Sequence, residues 1–439
     1  MKRVSTMKQL LMIIPFFPPM AGGGVYRPLS FVKYLGRYGW QTTVIAPRGD
    51  AFWIQDERLT EQIPESCEVV RTDTLSGQAL LARLRGGSGG ASGKGSPQKR
   101  SSGKFSAARR LASFFLIPDT YVGWRPYASR AALELLSNRP YDAIYSTSPP
   151  ETSHLVALDL HDRTGLPWVA DFRDPWMNLY LLKPPTPVHA AIHRKLERRV
   201  CNRAHVVVTT EWHEEEIRRN YPVAPGVTRI PNGYDAAEAA AVEALTPGSD
   251  RLRITHAGML TQNRTAVPFL RGLHRFLSNN AESRADIEVL FVGAREDRNE
   301  AAVRELELED VVEFHDSRPH DETLQLERRS HILLLIKHVN PDYRGMVPGK
   351  LYEYIGLRRP ILALSPDGEA SRLVEGLRRG LLAPQENEAA IAGALESLYQ
   401  KYRDGALETG FDLSPRPEFA RESLAGNLAR LLDDLAGAA

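Results

Sequence analysis

A proline–glycine turn, a lysine and, three residues later, a glutamate form the segment of this 439-residue chain with the most chemistry in it: Val347-Pro348-Gly349-Lys350-Leu351-Tyr352-Glu353-Tyr354. The turn opens a helix whose first N–H groups lack intrahelical partners. The Lys350 ammonium sits in the same turn, so both can converge on a diphosphate. Glu353 lies on the same helix face one turn deeper, where its carboxylate can accept hydrogen bonds from both hydroxyls of a ribose. The same spacing also describes an ordinary surface Lys–Glu pair, which contributes only ~0.2–0.5 kcal/mol. The adjoining Gly356 and the apolar run Pro360-Ile361-Leu362-Ala363-Leu364 weigh towards a site.

Two other segments carry candidate groups. In His256-Ala257-Gly258-Met259-Leu260-Thr261-Gln262-Asn263-Arg264 a strand meets a loop, with glycine first and a cation six residues later. Arg264 can fork onto phosphate oxygens; on its own it reads as an exposed arginine. In Pro18-Pro19-Met20-Ala21-Gly22-Gly23-Gly24-Val25-Tyr26-Arg27 a strand ends, three glycines turn and a helix starts. Backbone N–H groups there can face an anion, with a tight turn and no ligand as the alternative. The third spaced glycine of the dinucleotide fingerprint is missing, and the second strand ends Ala46-Pro47 without an acidic partner. His154, after Ser148-Pro149-Pro150, reads as a helix-surface residue rather than a base.

Positioning these groups takes strands that end at them. Short β-branched runs alternate with helical patterns, which predicts parallel sheets flanked by helices. In the first half the predicted strands are Gln9–Phe17, Thr42–Pro47, Cys67–Asp73, Tyr141–Ser148, Trp168–Asp174 and His205–Thr210, with helices Arg27–Tyr38 and Thr152–Thr164 among the connections. The second half repeats the scheme with Leu252–Gly258, Ile287–Gly293, Val311–Asp316, His331–His338 and Arg359–Ser365. Residues 1–235 and 251–412 are thus read as two domains, connected by Asp235–Asp250. Residues 413–439 form a last helix, with Leu424, Leu428, Leu431 and Leu435 on one stripe, that can pack back across the junction. Two such open α/β units form a cleft, and ligands bind at the carboxyl ends of the strands.

Bulk composition is that of an ordinary folded protein, 42% hydrophobic and 25% charged, and a formal net charge of +2 gives no general attraction to nucleic acid. Cys67 and Cys201 have neither metal nor pairing spacing, which suits a reduced, cytoplasmic protein. No apolar run is long enough to span a membrane. Lys2, Arg3 and Lys8 before Leu10–Ile14 imitate a secretory signal, but Pro15 breaks the run, and it is read as a buried first strand. The insertion Gly86–Lys104 is almost without apolar residues and is expected to be disordered. Its basic residues lead into Arg109-Arg110-Leu111 and Phe114-Phe115-Leu116, so 94–117 can contact an anionic membrane surface or simply form a flexible insertion and a domain helix.

Together these residues resemble glycosyltransferase family 4, retaining enzymes of the GT-B fold, in which two Rossmann-like domains face each other across a cleft. The resemblance rests on Pro-Pro-x-x-Gly-Gly-Gly-x-x-Arg, Ile230-Pro231-Asn232-Gly233, Gly258…Arg264 and Gly349-Lys350-x-Tyr352-Glu353-Tyr354, and runs over the chain outside the insertion. It implies that Arg264 and Lys350 lie near the donor diphosphate, that Glu353 takes the ribose, and that Pro348, Gly349 and Gly258 line the donor. The family's first glutamate, eight residues before Glu353, is Gly345 here, and Met259 replaces an arginine. Sugar recognition is then expected from backbone N–H groups of Gly345–Gly349. The family also places a polar residue at the end of the strand Asp171-Phe172-Arg173-Asp174; Asp174 is the first choice and Arg173 the second, and a local Arg–Asp pair competes equally.

The expected activity is metal-independent retaining transfer of a sugar from a nucleotide donor to a glycan or lipid-linked acceptor, in cell-surface polysaccharide or glycoconjugate synthesis. The resemblance implies that the departing phosphate helps deprotonate the acceptor. Gly22, Gly23, Gly24 and Arg27 would serve as the diphosphate or acceptor loop, and no cofactor is expected. Competing readings are a nucleotide-sugar epimerase, a nicotinamide dehydrogenase, and a non-catalytic nucleotide-sugar-binding scaffold at the membrane surface.

Overall fold

The computed structural model describes residues 7–48, 55–75, 114–177, 184–260 and 264–438. The insertion Gly86–Lys104, and all of the tract 94–117 before Phe114, therefore lie outside the described residues. The chain divides into two compact units, Met1–Pro231 with Leu424–Ala439, and Asn232–Ser423.

The first unit holds a parallel sheet of β1 (Lys8–Ile13), β2 (Trp40–Pro47), β3 (Glu68–Thr72), β4 (Ala143–Ser148), β5 (Trp168–Phe172), β6 (His205–Val208) and β7 (Gly226–Arg229), in the order β3-β2-β1-β4-β5-β6-β7. Strand β1 shows why it folds this way. Its side chains alternate, so Leu10 and Met12 enter one core and Leu11 and Ile13 the other, and all four are fully buried. The stretch that imitates a signal peptide is thus the middle of the sheet. The strand order reverses between β1 and β4, and the carboxyl ends of those strands lead into Gly22–Gly24 and Glu151–His154.

The second unit repeats the plan with β8 (Leu252–Ala257), β9 (Ile287–Val292), β10 (Val312–His315), β11 (Ile332–Ile336), β12 (Ile361–Leu364) and β13 (Gly380–Ala383), in the order β10-β9-β8-β11-β12-β13. Here Ile332, Leu334 and Ile336 of β11 face one core, and Leu333 and Leu335 the other. The order reverses between β8 and β11, where open sheets bind ligands. Gly258 follows β8, and Lys337 and His338 follow β11.

The differences from expectation are local. The first helix starts at Gly23 rather than Arg27 and ends at Leu35, with a 3-10 turn over Gly36–Tyr38 closed by Gly39 at φ 83°. Edge strands β7 and β13, four residues each, had no place in the sequence reading. The connecting segment folds a helix, Ala236–Val242, inside the second unit. The last helix, Arg421–Gly437, buries Leu424, Ala425, Leu428, Ala429 and Leu432 in the first unit. Its Asp433 accepts hydrogen bonds from Trp40 Nε1 and Lys8 Nζ, both at 2.9 Å.

Candidate functional site

In the second unit, Pro348 (φ −61°, ψ 138°) caps the helix Gly349–Leu357. No side chain caps this end and no acid stands in the first turn; Leu351 N donates to the Pro348 carbonyl at 3.0 Å, so it is the N–H groups of Gly349 and Lys350 that can meet an anion. The Lys350 ammonium lies 2.8 Å from Glu353 Oε2 and 3.2 Å from Glu327 Oε1, the latter an ionic contact without hydrogen-bond alignment. Burial works against the Lys350 charge, yet the two carboxylates outweigh it and raise its pKa well above the usual lysine range. Glu353 in turn is desolvated, but the Lys350 charge holds it below the usual carboxylate range. Glu327 goes the other way: burial first, and the Glu353 charge, push it up to about 7 against the pull of Lys350.

The buried imidazole of His256, at the end of β8, ties these groups to the Gly258 loop. Its Nδ1 lies 2.9 Å from the Leu334 carbonyl. Burial lowers its pKa to about 4, and the charges of both Arg264 and Lys350 add to the shift. Gly258 has φ 133°, which a side chain rarely tolerates, and donates its N–H to Val292. Arg264 also bears on His338, whose ring stacks on Tyr343 at 4.1 Å. Lys337, at the carboxyl end of β11, is 1% exposed, and its Nζ has no hydrogen-bond partner among the described residues. Burial lowers its pKa to about 8. Gly345 is buried in the loop that leads to Pro348, and the carbonyl of its neighbour Arg344 accepts a hydrogen bond from Glu369 N at 3.0 Å.

In the first unit Gly22, at φ 127°, caps the first helix; a Cβ on Gly22 or Gly23 would meet nothing. Gly24 is different, because a Cβ there would lie 2.6 Å from the Arg173 guanidinium. Arg173 donates to the backbone carbonyls of Ser148, Pro149 and Gly24, so its charge fastens the glycine turn to the end of β4. Arg27 forks onto Asp171 at 2.8 and 2.9 Å and reaches the Pro231 carbonyl at 2.8 Å. Tyr145 also donates to Asp171, at 2.6 Å. Beside Arg173 lie two carboxyls whose pKa values are raised. Burial raises Asp174, and burial with the charge of Asp119 pushes Glu151 up to about 8. Burial raises Asp119 as well, but it accepts from Thr152 N, Thr152 Oγ1 and Tyr121 N, and these hydrogen bonds favour its ionised form over that of Glu151.

One expectation needs correction. His154 is not on a helix surface: it is fully buried, 2.8 Å from Ser146 Oγ through Nδ1 and stacked on Phe172 at 4.4 Å. Burial drives its pKa to about 3, so the imidazole is neutral. Glu327, Lys337 and Asp171 were missed. A glutamate three residues after Leu324 on the buried helix face was the available signal for Glu327. Among the described residues no group of three His, Cys, Asp or Glu could hold a metal ion, and no helix is long and apolar enough to cross a membrane.

The comparisons with known proteins agree with this two-unit plan. Residues 22–233 match the family described as glycosyl transferase 4-like domain, and residues 251–401 match glycosyl transferases group 1. No curated protein sequence matches the chain. Sucrose-phosphate synthase from Thermosynechococcus elongatus is 16% identical with a TM-score of 0.64, over 98% of this chain and 100% of that one. A UDP-forming α,α-trehalose-phosphate synthase from Burkholderia xenovorans is 14% identical with a TM-score of 0.61, over 98% and 100%. Anabaena HepE in complex with UDP is 13% identical with a TM-score of 0.61, over 98% and 100%. With a parallel Rossmann-like sheet in each unit and a glycosyltransferase match on each, the chain belongs to the family 4-like glycosyltransferases of the GT-B fold.

Proposed function

We propose that the chain transfers a sugar, with retention of configuration, from a nucleoside-diphosphate donor to a glycan or lipid-linked acceptor in cell-surface polysaccharide or glycoconjugate synthesis. One observation carries the donor reading. The uncapped helix start at Gly349 presents Lys350 beside Glu353, while Lys350 and Arg264 both act on the same buried His256. Breaking a glycosyl–phosphate bond leaves negative charge on the diphosphate, and fixed cations aimed at it lower the barrier. Lys350 and Arg264 take that role, Glu353 the ribose, and Gly258, Gly345, Pro348 and Gly349 the surrounding backbone contacts. No metal or cofactor enters this reading. The solved relatives with UDP and UDP-glucose support a nucleotide-sugar donor.

On the first unit, Gly22 and Gly23 offer backbone N–H groups, and Asp174 faces the acceptor as a polar group able to hold a proton. Arg27 and Arg173 hold these parts in place. The exposed Phe114, Phe115, Val188 and Ile192 support peripheral contact with an anionic membrane at this unit. Retention implies that the departing phosphate takes part in deprotonating the acceptor, so no protein nucleophile is assigned.

The test is a thermal-shift screen of wild type and Lys350→Ala against UDP-, GDP-, ADP- and TDP-sugars. A ligand that binds only the folded state raises the melting temperature. One donor class should stabilise the wild type, and Lys350→Ala should lose most of that shift. An equal shift in both proteins contradicts the assignment of Lys350.

A further inference from the structure

Glu327 has no part in the donor reading, yet its surroundings are unusual for a carboxylate. It stands in the last turn of the helix His320–Arg328, on the face that also buries Thr323 and Leu324. None of its side chain is exposed, whereas Lys350 is 25% and Glu353 16% exposed. The ammonium therefore has Glu327 on its buried side and Glu353 nearer the surface, two carboxylates around one cation. Glu327 Oε2 has no hydrogen-bond partner among the described residues.

When Lys350 meets a diphosphate and Glu353 a ribose, contacts with the donor compete with their own 2.8 Å contact. The diphosphate then supplies the counter-charge that the two glutamates supply without it. We propose that Glu327 is the positioning residue of Lys350: it supports the ammonium from the buried side throughout, and accepts a proton from solvent when the donor's diphosphate arrives. This rests on the donor reading above. No other covalent bond forms or breaks; a proton moves from solvent to Glu327 in the fraction of molecules where it is still ionised, and the carboxyl stays in place as a neutral support.

The groups around Glu327 favour that exchange. Lys350, Glu353 and Tyr354 face it from the helix Gly349–Leu357. His320 lies on its own helix and pairs with Glu238 at 3.2 Å from the helix Ala236–Val242. His256 on β8 is buried and neutral, within reach of the Lys350 charge. Burial and the Glu353 charge already hold Glu327 at about 7, and further negative charge in the same desolvated space disfavours its ionised form.

The test titrates UDP-glucose, GDP-mannose, ADP-glucose and TDP-glucose into wild type, Glu327→Gln and Glu327→Ala from pH 6.5 to 8.5. Calorimetry is run in two buffers of different ionisation enthalpy. These diphosphate diesters do not themselves titrate in this range. Wild type should bind its donor up to about tenfold more weakly at pH 8.5 than at pH 6.5, since each unit of pKa shift is a factor of ten. It should also take up a fraction of a proton. Glu327→Gln, which imitates the protonated carboxyl, should show a flatter profile and a smaller proton uptake than wild type, the remainder belonging to Lys337, whose pKa is about 8, and an affinity at pH 8.5 equal to or above wild type. Glu327→Ala should bind more weakly at every pH, with melting curves confirming that both variants are folded. Wild-type binding without proton uptake, or a Glu327→Gln profile like that of wild type, overturns the inference and leaves the donor reading standing. A wild type that binds none of the four overturns both.

Discussion

At the scale of single residues, the fully buried Asp171 shows how much of this chain's charge serves the fold. It takes both arms of the Arg27 guanidinium and the Tyr145 hydroxyl. Burial opposes its ionisation, but the Arg27 charge and these hydrogen bonds hold its pKa below the usual carboxylate range. A group depressed in the folded state contributes stability above its unfolded pKa of about 3.9 and loses it as pH falls through the folded value. Asp171→Asn should therefore cost ~3–5 kcal/mol at pH 7, because it leaves a buried guanidinium without its counter-charge. By denaturant unfolding the difference should narrow at pH 3; an equal loss at both pH values contradicts this. Lys350 and Glu353 were legible in the sequence because i,i+3 spacing on a helix opened by Pro-Gly fixes their adjacency. Glu327 was not, since its meeting with Lys350 depends on two helices packing together. His154 was misread because its helix is buried on most of its circumference, with Leu155, Val156, Leu158 and Leu160 all inside.

At the scale of elements, hydrophobic patterning found the central strands and the edge strands β3 and β10, and missed the edge strands β7 and β13. In β1 and β11 every residue from Leu10 to Ile13 and from Ile332 to Ile336 is apolar, as a strand covered on both faces requires. Strands β7 and β13, Gly-Val-Thr-Arg and Gly-Leu-Leu-Ala, are as short as β6, β10 and β12 but each opens on a glycine, which weakens the strand signal, and they are defined by pairing with β6 and β12. The leucine stripe of the last helix and the option of packing back across the junction were readable; the particular side chains it meets were not, because a stripe does not name its partners. Leu428 is fully buried in the core that β1 and the first helix also line. Leu428→Ala should cost ~2–5 kcal/mol by denaturant unfolding, the range for a buried leucine. A loss under about 1 kcal/mol contradicts the packing of this helix.

At the scale of the whole molecule, two Rossmann-like units carry separate sets of groups: an uncapped helix with cations in the second, a glycine turn and protonatable carboxyls in the first. The two-fold α/β repeat was visible in the alternation of strands and helices, while the charge pairings inside each unit came only from the fold. The first unit also exposes an apolar patch: Phe115 at 75%, Val188 at 67% and Phe114 at 46%. Val188 and Ile192 share a face of the helix Pro187–Cys201, whose later turns expose Arg194, Lys195, Arg198 and Arg199. Apolar side chains beside basic ones suit an anionic bilayer. Replacing Phe114, Phe115 and Val188 by serine should cut cosedimentation with phosphatidylglycerol vesicles several-fold; unchanged cosedimentation removes the proposal. The most direct measurement is a crystal structure with a nucleotide-sugar donor bound. Its phosphate oxygens should lie ~2.7–3.2 Å from Lys350 Nζ at the Gly349 helix start, with the ribose on Glu353 and Arg264 alongside. A donor bound elsewhere, with the Lys350–Glu353 contact still closed, would contradict the assignment.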